Sequence, residues 1–254
     1  MTTTLLLLCF IAFAAGFVDA IVGGGGLIQT PASILLLPQY GIATVIGSLK
    51  IPSFTGTAFA AYQYIKKTLL DWKLLGLMMV VAMLFAFAGS QLLTVVRNDF
   101  MKPILLVVLC GVAIYTYTKK DFGQHTVKEH SKRKKMTLAI CISMVVGFYD
   151  GFIGPGAGSF FILAFVSLMG YDFLHASAKA KMVNLATNAG SIILFMLKGK
   201  IIWAVTIPMA ICNALGGMLG ARLAITKGNK FIRIFFLLIV IGTLIRYAYE
   251  VFKI

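Results

Sequence analysis

Apolar residues run in long blocks separated by short polar turns, at about residues 5 to 22, 42 to 64, 74 to 96, 101 to 118, 137 to 153, 173 to 197, 201 to 224 and 231 to 252. Each block approaches the roughly 20 residues that carry a helix across about 30 Å of hydrocarbon. A lipid-exposed segment must satisfy its own backbone hydrogen bonds, so helix is the predicted form. The pattern therefore predicts an all-α, polytopic integral membrane protein with eight crossings. Two further apolar pieces, 27 to 37 and 158 to 169, are too short to span and follow Gly-rich breaks, which predicts half-helices or re-entrant segments.

Composition agrees with this pattern. Of the 254 residues 60% are hydrophobic and 12% charged, against an ordinary 45 to 50% and about a quarter in soluble domains. The net charge of +15 points to the anionic membrane surface, not to nucleic acid, because the apolar runs are of spanning length. Seven Lys or Arg against Asp121 and Glu129 lie between Lys119 and Lys135, and basic loops are retained in the cytoplasm. That stretch is expected to be a cytoplasmic linker, residues 119–135, between transmembrane units at 1–118 and 136–254. Cys9, Cys110, Cys141 and Cys212 stand singly in apolar segments, and three His are too scattered for a metal centre, so neither a metal nor another cofactor is expected. The first residues lack the positive region of a cleaved signal peptide, so the first segment is expected to stay in the mature chain.

A shift of 131 positions carries the first half onto the second without a gap. Gly16, Phe17 and Asp19 land on Gly147, Phe148 and Asp150, and Gly23 and Gly25 on Gly154 and Gly156. Lys50 lands on Lys181, Trp72 on Trp203, Gly89 on Gly220, Asn98 on Asn229, Phe100 on Phe231 and Gly111 on Gly242. Hydrophobic coincidence pairs Leu with Ile, not Asp, Lys and Trp at one offset, so a duplicated unit of about four spans is expected. Duplication with interrupted segments at matching places marks many secondary transporters, whose site lies between the repeats. Four crossings per half make the repeats parallel and five make them inverted; charge counting does not choose.

The breaks are the candidate chemistry. Gly23, Gly24, Gly25 and Gly26 follow Asp19, and Gly154, Pro155, Gly156 and Gly158 follow Asp150; both runs weaken helix and free backbone N–H groups. Irregular backbone at membrane depth belongs in protein or beside a wet cavity, and a half-helix starting there points its positive end at an anion. Lys50 and Lys181 are expected to offset substrate charge, because an intramembrane cation needs a partner or an aqueous path. Ser53, Asn184 and Asn188, with Ser48, Thr57 and Thr187, can donate to oxyanion oxygens or bond between helices. Asp19 and Asp150 are candidate proton carriers, counter-charges to the lysines, or caps, with the structural roles preferred. Lys179 is expected to snorkel, His175 to be a lone loop histidine, Trp72 and Trp203 to anchor at the interface, and Gly216-x-x-x-Gly220 to pack helices.

At these residues the chain resembles the TauE/SafE sulfite exporter family, also called the toluene sulfonate uptake permease family. Gly16 to Pro31 is similar to its first-half signature and Gly147 to Phe161 to its second, with the segments at Lys50 and at Lys181 to Asn188 similar to its downstream motifs; Leu49 stands where related proteins often carry Asn. The resemblance covers essentially the whole chain. It implies a bacterial inner-membrane permease built from two repeats and moving sulfur-containing anions such as sulfite, thiosulfate or organosulfonates; separately, alternating access of the two halves around the breaks, with no catalytic residue, is the expected mechanism. The partners the resemblance implies are a small anion and lipid, not nucleic acid, and a homo-oligomer is compatible with it. A negative interior favours efflux of a monovalent anion by about 2.3 kcal/mol per 100 mV, so uptake needs a coupling ion. An anion channel is the alternative. An intramembrane enzyme is disfavoured, since Gly-x-Gly-Asp, Gly-x-Ser-Gly and His-Glu-x-x-His are absent.

Overall fold

A computed structural model describes residues 2–96 and 131–252, without the side chains of 2, 233 and 236–252. The expected span at 101 to 118, most of the basic linker, and the offset matches at Asn98, Phe100 and Gly111 lie outside the described residues. Eight helices follow one another among the described residues: α1 (Thr2–Val22), α2 (Gly25–Leu36), α3 (Ile42–Ile65), α4 (Trp72–Val95), α5 (Lys132–Phe152), α6 (Ala157–Ser167), α7 (Phe173–Leu197) and α8 (Trp203–Phe252). The architecture is all-α.

Five segments are long and apolar enough to cross a membrane, Thr3–Val22, Trp72–Val95, Lys132–Phe152, Phe173–Leu197 and Trp203–Ile232. The expectation of eight crossings is thus met at five places. Helix α3 has 24 residues, about 36 Å of rise, but carries Lys50 and a series of hydroxyl residues and is less apolar. The last two expected crossings form one element, α8, interrupted at Gly228 by a φ of 71° that only glycine adopts readily. The two short pieces are separate helices of 12 and 11 residues, α2 and α6.

Helix starts divide into two kinds. Asp71, Ser131 and Asp172 cap α4, α5 and α7 by accepting first-turn N–H groups. Gly24 and Gly156, at the starts of α2 and α6, bring no capping side chain. Gly41 at the start of α3 brings none either, and at the breaks backbone carbonyls take several first-turn amides, Leu27 N on Gly24 O, Ala157 N on Gly154 O and Ser159 N on Gly23 O.

Glycines set the packing. A Cβ at Gly216 would lie 2.0 Å from Phe13 O and one at Gly220 2.3 Å from Phe17 O, so α8 runs parallel to α1 at backbone contact. A Cβ at Gly147 would lie 2.8 Å from Ala82 O and one at Gly151 2.0 Å from Ala86 O, so α5 runs parallel to α4. Between them α3 and α7 cross the middle. Gly47 packs on Phe195, whereas Thr57 and Lys181 both reach Asp19; α3 and α7 accordingly run in opposite directions. Helix α2 folds back along α1, with Gly25 against Ala15 O and Leu37 clustered with Leu8 and Ala12. Large apolar side chains such as Leu84, Phe87, Ile211 and Leu219 face outward, as suits a lipid-facing surface.

Candidate functional site

The two breaks meet. Helix α1 stops at Val22, and Gly23 turns the chain at φ 75°. Helix α5 stops at Phe152, followed by Gly154 at φ 91° and Gly156 at φ 83°. Positive φ is a glycine conformation, and Pro155 between the two glycines has no N–H to continue a helix. A Cβ at Gly23 would lie 2.2 Å from Gly158 C, so only bare backbone fits there. Ser159 N donates to Gly23 O at 3.0 Å and Ser159 Oγ to Val22 O at 2.8 Å. The start of α6 thereby satisfies carbonyls that the end of α1 leaves open.

Two lysines reach across to the opposite breaks. Lys50 Nζ, on α3, donates to Asp150 Oδ1 at 2.9 Å and to Asp150 O at 2.5 Å. Lys181 Nζ, on α7, donates to Asp19 Oδ2 at 2.9 Å and also to Asp19 O. Each half's lysine holds the other half's aspartate. Side-chain exposure is 5% and 5% in the first pair and 1% and 19% in the second. Lys50 and Lys181, expected to offset substrate charge, each face a carboxylate, the counter-charge role also expected for Asp150 and Asp19. Gly26, Gly156 and Gly158 bring the starts of α2 and α6, with the positive partial charge of a helix N-terminus, to the same place.

Between these groups lies a cavity of about 40 Å³, room for roughly three waters. Gly23, Gly26, Gly154, Gly156 and Gly158 line it together with Asp19, Lys50, Asp150, Ser53, Asn184 and Asn188. Gly24, Gly25 and Lys181 are not in its wall. Gly25 faces α1, and Lys181 is spent on Asp19 behind the opening. Thr57 lines it and donates to Asp19 Oδ2 at 3.4 Å. Its offset partner Asn188 instead donates to Asn184, to Oδ1 at 2.5 Å and to O at 2.9 Å. Thr30, Ile46, Leu49, Ile153 and Ala157 complete the wall. Thr30 escaped sequence reasoning because the offset places Phe161 opposite it.

Other candidates lie elsewhere. Ser48 donates to Thr44 O and accepts from Ile202 N, joining α3 to the start of α8, and Thr187 donates to Asn184 O. Lys179 does not snorkel: it is 5% exposed, with Nζ 4.7 Å from the centre of the Tyr171 ring, where cation–π attraction holds it. His175 is not a lone loop residue. It sits in the first turn of α7 with Nδ1 2.5 Å from Oδ2 of Asp172. Burial alone would raise the Asp172 carboxyl, but hydrogen bonds from the His175 backbone and ring and from Leu174 N hold it below the usual carboxylate range. Trp72 and Trp203 open α4 and α8, half exposed.

Residues 8–247 match the family model described as Sulfite exporter TauE/SafE. The chain is 34% identical over 238 residues to the "Probable membrane transporter protein YfcA" of Escherichia coli (strain K12), covering 92% of this chain and 86% of that protein. It is 34% identical over 235 residues to "Probable membrane transporter protein ORF9" of Sinorhizobium sp, covering 92% and 88%. A "Probable membrane transporter protein" of Haemophilus influenzae is 32% identical over 229 residues, covering 90% and 88%. No solved structure matches.

Proposed function

Because the chain belongs to the TauE/SafE sulfite exporter family of bacterial membrane transporters, and is thus a multi-pass inner-membrane protein, we propose that it is a permease for small sulfur-containing anions such as sulfite, thiosulfate or organosulfonates. The observation that carries this reading is the meeting of two uncapped half-helix starts in one polar cavity, flanked by crossed Lys–Asp pairs. A sulfur oxyanion sheds its hydration on entry. Backbone N–H groups at Gly26, Gly156 and Gly158, the Lys50 ammonium and the Ser53 and Asn184 side chains replace that water with fixed donors. The resting volume, about 40 Å³, is room for about three waters and so favours the smallest sulfur oxyanions. Longer sulfonates require the site to open.

Alternating access of two inverted halves, 1–118 and 136–254 joined by the linker 119–135, is the motion we assign. Offset-related α3 and α7 run in opposite directions, and the parallel pairs α1 with α8 and α4 with α5 exchange under the same offset. Such a relation gives outward and inward states as near mirror arrangements of one chain. The crossed ion pairs lie on the boundary that this motion must shear.

The test is flux. Proteoliposomes holding the purified protein are expected to exchange labelled sulfite saturably, with thiosulfate and sulfoacetate competing and acetate competing less. Absence of exchange for every sulfur anion overturns the reading, and currents without saturation replace it with a channel.

A further inference from the structure

The two crossed pairs are not equally satisfied. Asp19 has both Lys181 and Thr57 on its Oδ2, and its side chain keeps 19% exposure. Asp150 has Lys50 on Oδ1, but its Oδ2 is buried without a hydrogen-bond partner among the described residues. The donor that the offset would supply there, Asn188, is turned to Asn184 instead. An ionised carboxylate oxygen buried without a donor is expensive, more so than a neutral acceptor. This oxygen belongs to a residue in the cavity wall, so the missing partner can arrive from the substrate path.

We propose that Asp150 Oδ2 is the binding site for a proton carried together with the anion. The inference rests on the permease reading above and names its coupling ion. Protonation on Oδ2 neutralises the carboxylate and supplies the missing hydrogen. Lys50 then loses its counter-charge at Oδ1, and its ammonium is available to the anion entering beside Gly154, whose Cβ position is 3.5 Å from Lys50 Nζ. Charge arithmetic agrees. The resting site holds two cations and two carboxylates; one proton raises it to +1, and one monovalent anion restores neutrality. The proton comes from whichever aqueous side the cavity opens to and leaves with the anion on the other, so transport of a monovalent anion does no work against the membrane potential.

Among the described residues the charged groups around Asp150 are few. Lys50 faces it from α3, and Lys181 from α7 and Asp19 from α1 stand across the cavity as a closed pair. Helix α4 brings only Lys73, at its far end, and α6 has no ionisable side chain. On α5 itself the neighbouring Tyr149 hydroxyl donates to Pro155 O at 2.6 Å. None of these offers Oδ2 a second proton donor.

The experiment has two arms. In the first, sulfite flux into proteoliposomes is measured with and without an imposed proton gradient, at clamped membrane potential and equal sodium. The expected ratio is tenfold or more for the wild type and about one for D150N, whatever the basal flux of that variant. A wild-type ratio near one, a ratio retained in D150N, or a drive by a sodium gradient in place of protons overturns the proposal. The second arm needs no transport. Infrared spectra of the purified protein are expected to show a protonated-carboxyl C=O band that D150N removes and D19N keeps. A band that D150N leaves intact, or no band in the wild type, overturns the assignment. If no sulfur anion moves at all, the permease reading fails in the first arm while the second still decides the proton site.

Discussion

Lys50 on α3 is bound to Asp150 on α5, 100 residues further along the chain, with Nζ 2.9 Å from Oδ1 in a nearly water-free setting. Truncating one member of such a pair strands the other as an uncompensated charge, at about 3–5 kcal/mol in soluble proteins. K50Q is therefore expected to lower the thermal midpoint of the detergent-solubilised protein and to reduce sulfite exchange at least tenfold. The paired variant K50Q/D150N is expected to recover much of the stability and none of the exchange. Stability is read by a thermal melt and exchange by labelled flux. Unchanged flux in folded K50Q would remove Lys50 from the site.

Bare backbone at the break gives a second test. A Cβ at Gly23 would meet Gly158 C at 2.2 Å, in a residue already at φ 75°. At Gly199, with φ 62°, nothing lies within 4 Å of the same position. G199A thus meets only the strain of a left-handed residue, about 1 kcal/mol. G23A also drives the two breaks apart and is expected to cost several times more and to abolish anion exchange. Thermal melts of the two variants side by side distinguish contact from strain; equal melts contradict the close approach of the breaks.

The breaks themselves are legible in the amino-acid sequence. Four successive glycines after Asp19 and Gly-Pro-Gly after Asp150 are local signals, because positive φ and a missing N–H act within a few residues. The same holds for α2 and α6, whose lengths follow from the apolar runs. Which lysine meets which aspartate is not legible there. Lys50 lies closer in sequence to Asp19 than to Asp150, and the crossing depends on how α3 and α7 slide between the other helices. Helical facing also escapes a linear reading: Gly25 and Gly26 are neighbours, yet Gly25 abuts Ala15 O and Gly26 faces the cavity. Thr30 carries no repeat signal, and Lys179 reads as interfacial because nothing in its own segment announces Tyr171.

Helix packing supplies a third prediction. A Cβ at Gly89 would lie 2.2 Å from Phe148 O, and one at Gly220 2.3 Å from Phe17 O. These four residues are related by the 131-residue offset, so G89V and G220V are expected to destabilise by similar amounts, about 1–3 kcal/mol or more from overpacking. G76V, where nothing lies within 4 Å of the Cβ position, is expected to be nearly neutral. The readout is the fraction of monodisperse protein after stepwise heating.

Acid sensitivity at the start of α7 is a fourth. Asp172 caps Leu174 N and His175 N, and its folded carboxyl lies below the ordinary value of 3.8. A depressed carboxylate contributes stability fully above its unfolded pKa and loses it as pH falls through the folded one. D172A is expected to cost about 1 kcal/mol as a lost cap. The gap between wild type and variant should close as pH falls below about 4. Melting curves across that range check it, and a gap that widens on acidification contradicts the sign.

The most direct measurement is the position of a bound anion. Crystals of the protein soaked with selenite, a heavier oxyanion of the same shape as sulfite, are expected to show an anomalous selenium peak in the cavity among Gly23, Gly26, Lys50, Gly156, Gly158 and Asn184. The peak should be absent in K50Q crystals. Selenium bound only outside the two glycine breaks, with that cavity empty at saturating selenite, would contradict the account.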